Sequence, residues 1–139
     1  MRILSKTLFI GAFLLSAASI AEARILLGEA KVDQQGQIVG TVLNQGAKPI
    51  KTDISGFPGT VAPNENLEYK IAAPSEGNPL QVRYTSDKGE GCLFYYETLY
   101  SSCVDKDITY VFAQPLHARE ICRTTGFTGN HISVMADKK

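Results

Sequence analysis

The sequence predicts an all-β fold, a single small antiparallel β-sandwich of about six to eight short strands. Three observations point there. Clusters of Pro, Gly, Asn and Asp cut the chain every eight to twelve residues, the segments between them alternate with period two, and nothing after the first 23 residues sustains 3.6-residue apolar spacing. Short strands with one apolar face bury it by packing sheet on sheet.

The first 23 residues carry a different signal. Arg2 and Lys6 precede or flank the apolar run Leu8 to Leu15, and small residues then end in Ala21-Glu22-Ala23. Charge, apolar core and Ala-x-Ala in that order describe a secretory signal peptide cleaved after Ala23. The apolar core is shorter than the ~20 residues that span a bilayer, which disfavours an uncleaved anchor. The expected product is exported, periplasmic or secreted, and comprises residues 24–139 as one domain, with 131–139 as a ragged tail. Without Arg2, Lys6 and Glu22 it holds 12 basic and 13 acidic residues, formally −1. That balance lacks the basic cluster that nucleic-acid binding requires, and no second apolar segment is long enough for a membrane span.

Taken in order, Ile25 to Val32 reads as a first strand and Asp33 to Gly36 as its turn. Gln37 to Leu43 is apolar on both sides and reads as a central strand. Asn44-Gln45-Gly46 supplies the next turn, because Asn and Gly accept positive φ cheaply. Ile50, Thr52 and Ile54 alternate cleanly with Lys51, Asp53 and Ser55, predicting a half-buried strand. Leu67, Tyr69 and Ile71 repeat the pattern, as do Leu80, Val82 and Tyr84. From Gly91, residues Cys92, Phe94 and Tyr96 share one face while Leu93 and Tyr95 share the other, so this strand is expected in the middle of a sheet. Ile108, Tyr110 and Phe112 make its hairpin partner across a long connection. Beyond Pro115 the pattern weakens: Leu116 to Arg123 reads as a helical turn or an edge strand, and His131 to Met135 as a last short strand. Immunoglobulin-like and fibronectin type III-like domains share this general architecture, but the chain has no Trp, so the hallmark core Trp is absent and no family is implied.

Cys92, Cys103 and Cys122 are an odd set for an oxidising compartment, so one disulfide and one leftover sulfur are expected. Three pairings are open. Cys92 with Cys103 closes the shortest loop and ranks slightly ahead of Cys103 with Cys122, which would staple the weakly patterned C-terminal segment. The unpaired Cys reads first as a buried, inert residue and second as a reactive thiol or a covalent dimer link.

Seven of the ten aromatics after residue 23 fall between Tyr84 and Phe112. Most suit a sheet core and its cross-strand pairs. The sharper expectation is that Leu93 and Tyr95, with Tyr100 beyond them, form an exposed amphipathic patch for a protein or glycan. Catalytic signatures are weak. There is no Gly-x-Ser-x-Gly elbow and no glycine-rich phosphate loop. A Cys with His117 or His131 and Glu120 can be picked out, but such a set is unspecific. No Cys-x-x-Cys or His-x-x-x-His spacing presents ligands together, so neither a metal nor a cofactor is expected. The expected function is therefore non-catalytic surface recognition. The alternatives are a small secreted hydrolase or thiol enzyme, and an inhibitor of an exported hydrolase presenting Ser55 to Asn66 or Ala73 to Pro79 as a stiff loop.

Overall fold

The computed structural model describes residues 24–137, so the expected signal peptide lies outside the described residues. These residues form ten strands and no helix: β1 (Ile25–Ala30), β2 (Gln37–Asn44), β3 (Ile50–Lys51), β4 (Thr60–Val61), β5 (Asn66–Ala72), β6 (Leu80–Thr85), β7 (Gly91–Ser101), β8 (Lys106–Pro115), β9 (Ile121–Thr124) and β10 (His131–Met135). One sheet has the order β1-β8-β7-β6-β3-β4 and the other β5-β2-β10-β9. The architecture is the expected sandwich. Its strands number ten rather than six to eight because both weakly patterned C-terminal segments form strands, β9 and β10, and the two-residue β4 is too short to show alternation.

The inner faces follow from the alternation. In β7 the side chains of Cys92, Phe94 and Tyr96 are fully buried, and Val82 and Tyr84 of β6 join them from the neighbouring strand. The second sheet answers with Ile38 and Val42 of β2, Tyr69 and Ile71 of β5, and Ile132 and Val134 of β10. Aromatic rings fill the middle. Phe57 stacks on Tyr69 with centroids 4.4 Å apart, and Tyr69 meets Tyr96 edge-on at 6.3 Å.

Buried phenols need partners, and each finds one. Tyr96 donates to the Tyr69 oxygen at 3.0 Å, and Tyr69 donates to the Asn130 carbonyl at 2.7 Å. Burial pushes the Tyr69 phenol up to about 12, against the pull of its bond with Tyr96, and pushes Tyr96 well above its ordinary value. Gly40 makes room for this chain of bonds. A Cβ there would lie 1.8 Å from the Asn130 carbonyl oxygen and 2.9 Å from the Tyr69 ring.

Four expectations need correction. The strand expected over Ile50 to Ser55 stops at Lys51, because the chain turns inward and Phe57 N–H bonds the Ile54 carbonyl at 3.3 Å. The β7–β8 connection is short: the strands run on to Ser101 and from Lys106, with Asp105 at a left-handed φ of 54° closing the turn. Residues 131–135 form the expected last short strand, so they are no ragged tail. They form β10, which lies between β2 and β9, pairs parallel with β2, and buries Ile132, Ser133 and Val134. That parallel pair is the one exception to the antiparallel sandwich among the described residues.

The fourth correction concerns sulfur. Cys92 is bonded to Cys122, with Cα atoms 5.9 Å apart, and the free Cys103 is exposed. Both rankings from sequence placed Cys103 in the bridge. An eleven-residue β7 instead carries the chain roughly 35 Å at ~3.3 Å per residue before Cys103 is reached, far beyond the ~7 Å a disulfide can close. The bridge links the central strand of one sheet to the edge strand β9 of the other.

Candidate binding surface

Because β7 buries its even-numbered side chains, its odd-numbered ones form the outer face of the six-stranded sheet. Register then decides their neighbours. Tyr95 lies opposite Gln81 of β6 and Phe112 of β8, and Phe112 lies opposite Leu26 of β1, so one row crosses four strands. The next row is Arg83, Leu93 and Gln114.

Arg24, immediately before β1, places its guanidinium 4.3 Å from the centroid of the Tyr95 ring and 5.8 Å from that of Phe112. Such stacking leaves the planar N–H donors at the guanidinium edge available to a ligand. The Tyr95 hydroxyl donates to Gln114 Oε1 at 3.2 Å. Between these groups is a shallow concavity of about 330 Å³, lined by Arg24, Gln81, Arg83, Leu93, Tyr95, Gln114 and Leu116. Its lining holds two guanidinium groups and no carboxylate. Among the described residues the ion pairs are Lys51 with Asp87 and His117 with Glu120, so no described carboxylate is in ion-pair contact with either arginine.

The expected patch is thus reshaped. Leu93 faces outward but is only 8% exposed, and Tyr95 is half-buried. Tyr100 does not share their face. The unbroken β7–β8 register puts it on the even-numbered side, past the end of the core, where its hydroxyl donates to the Asp105 carboxylate. That bond, more than any burial, raises the Tyr100 phenol above its ordinary value.

The histidines and the remaining sulfur are dispersed. His117 Nδ1 is 2.7 Å from Glu120 Oε2, which also accepts the Gly91 N–H at 3.1 Å, while the His117 N–H donates to Oε1 at 2.6 Å. Burial works to raise the Glu120 pKa, but these bonds outweigh it and hold the carboxyl below its ordinary value. The pair lies near the start of β7 and the free thiol of Cys103 beyond its end, so the structure brings no thiol to His117. His131 Nδ1 is engaged with the Thr41 hydroxyl at 2.9 Å. The described residues contain no group of three His, Cys, Asp or Glu side chains placed to hold a metal. Of the two loops considered for an inhibitor, Ser55 to Asn66 is tucked in through Phe57 and Val61, whereas residues 75–79 are exposed.

Sequence reasoning missed Arg24, Gln81, Arg83 and Gln114. Arg83 and Gln81 were legible as outward residues of their strand, but only the pairing register shows that they adjoin Leu93 and Tyr95. Arg24 carried no signal beyond its position next to the expected cleavage site. No protein-family model, curated protein or solved structure matches the chain.

Proposed function

We propose that this chain is an exported, non-catalytic β-sandwich that recognises a protein or a glycan through the outer face of β7. The observation that supports the reading is the guanidinium of Arg24 stacked on Tyr95 beside a concavity without a carboxylate. A central strand makes a good platform, since its ladder bonds and buried inner face hold the outward side chains in place. The Cys92–Cys122 bridge is the kind of cross-link that persists in exported proteins. Cys103, exposed at the β7–β8 turn, is available for a covalent link between two copies.

One observation favours the hydrolase alternative: the Glu120 carboxylate orients the His117 ring as a general base would require. A single experiment separates the readings. The secreted chain and its Tyr95→Ala variant are screened against an array of proteins and glycans, in parallel with a His117→Ala, His131→Ala variant whose thiol is blocked. Saturable binding that Tyr95→Ala weakens about tenfold, and that survives the histidine substitutions, is the expected result. Binding indifferent to Tyr95, or a hydrolytic activity abolished with the histidines, would overturn the proposal.

A further inference from the structure

We infer that the concavity between Arg24 and Arg83 takes the carboxylate of an acidic sugar, a uronate-type residue of a polysaccharide. The inference rests on the recognition role proposed above and names its ligand class.

Charge comes first. Two guanidinium groups line one small concavity that has no carboxylate in its lining, in a chain with balanced charge, and no described carboxylate is in ion-pair contact with either. Arg24 is also held in advance. Stacked on Tyr95, it has already lost much of the side-chain freedom that binding would otherwise remove, and its forked donors match a carboxylate bidentately.

The rest of the lining selects among anions. Gln81 presents an exposed carboxamide, which both donates and accepts as vicinal sugar hydroxyls require. Leu116, half-buried, adds apolar surface suited to the C–H face of a pyranose, to which the nearly covered Leu93 contributes only its 8% exposed rim. A volume of about 330 Å³ is at the lower end of small-molecule sites and fits one or two sugar rings better than a folded domain. An acidic peptide fits less well. The site lies on the face of β6, β7 and β8, whose main-chain groups are paired with one another, so an extended peptide finds no strand edge to augment.

The test titrates the secreted chain with trigalacturonate, using maltotriose as the neutral control and triglutamate as the peptide control. Affinity is read by calorimetry, and the site by methyl chemical shifts. The expected result is saturable binding of trigalacturonate that moves the Leu93 and Leu116 methyl signals and that Arg24→Gln and Arg83→Gln each weaken by about tenfold or more. Melting temperature should be unchanged, because both arginines are exposed. Equal affinity for maltotriose overturns the role of charge. Equal or tighter binding of triglutamate assigns the site to acidic peptide instead. Absence of saturable trigalacturonate binding, or shifts confined to other residues, overturns the inference outright. If trigalacturonate fails while Tyr95-dependent binding on the array persists, the ligand class falls and the recognition role stands; if both fail, the role falls as well.

Discussion

The disulfide gives the sharpest quantitative expectation. Cys92 and Cys122 are 30 residues apart in sequence, and closing a loop of that size lowers the entropy of the unfolded chain enough to stabilise the fold by about 3.7 kcal/mol. For a domain of this size, whose whole stability is ~5 to 15 kcal/mol, that is a large share. With a urea slope of about 2 kcal/mol per molar, replacing both cysteines by alanine should lower the midpoint by about 2 M. Cys103→Ser, at an exposed turn, should leave it within about 0.3 M. The loss should also have an address. β9 is a four-residue edge strand paired only with β10, so hydrogen exchange in residues 116–130 should accelerate before exchange elsewhere. Peptide mapping checks the pairing itself. Trypsin alone leaves Cys92 and Cys103 on one peptide, between Lys88 and Lys106, so a second cut after Glu97 is needed to separate them. A fragment joining the Cys103 peptide to either partner, or a midpoint that moves as much for Cys103→Ser as for the double variant, would refute the reasoning.

Two further outcomes follow from the core and from the Glu120 clamp. Gly40→Ala forces a Cβ against the Asn130 carbonyl and the Tyr69 ring, and should cost about 3 kcal/mol in urea unfolding. Gly126→Ala, whose Cβ meets nothing nearer than the His131 ring at 3.8 Å, should stay within about 0.5 kcal/mol; equal losses would show that propensity, not crowding, decides. Glu120 titrates below its unfolded value of about 4.3, so its contribution is complete above that pH and disappears as pH falls through the folded value. Glu120→Gln should therefore destabilise at pH 7 by about 1–3 kcal/mol and flatten the acid limb of a stability profile, and a profile as steep as that of the parent chain would remove Glu120 from the account.

Period-two alternation served where a strand has one wet face and a tertiary partner of matching length. Leu67, Tyr69 and Ile71 are the clearest case, with Tyr69 and Ile71 buried and the residues between them exposed. It failed at Ile50 to Ser55, where the same alternation came from Ile54 packing against the core at the start of a turn rather than from a strand. It was silent about partners. Nothing local in His131 to Met135 distinguishes a terminal edge strand from one inserted parallel beside β2, because strand direction is decided by the route of the chain. Cysteine pairing failed for the same reason. Cys92 and Cys103 are neighbours in sequence, and it is the length of β7 that separates them, a quantity fixed by how far the β8 partner follows.

The candidate site shows the same division between what is local and what is relational. Tyr95 could be picked out because aromatics are few and concentrated in β7 and its neighbours. Its chemistry could not, since Arg24 reaches it from just before β1 across β8, and Arg83 approaches the same concavity from β6 on the other side. A surface assembled from several strands of one sheet is rigid only if those strands are held from behind. Here they are, by Phe94 and Tyr96 of β7 in the core and by the bridge from Cys92 to the opposite sheet. Under the proposed recognition role, binding and stability should therefore separate by parity along β7: truncating Phe94 or Tyr96 to Ala should cost about 3–5 kcal/mol in urea unfolding, whereas substitutions at the outward Tyr95, Arg24 and Arg83 should leave stability nearly unchanged and lower affinity on the array.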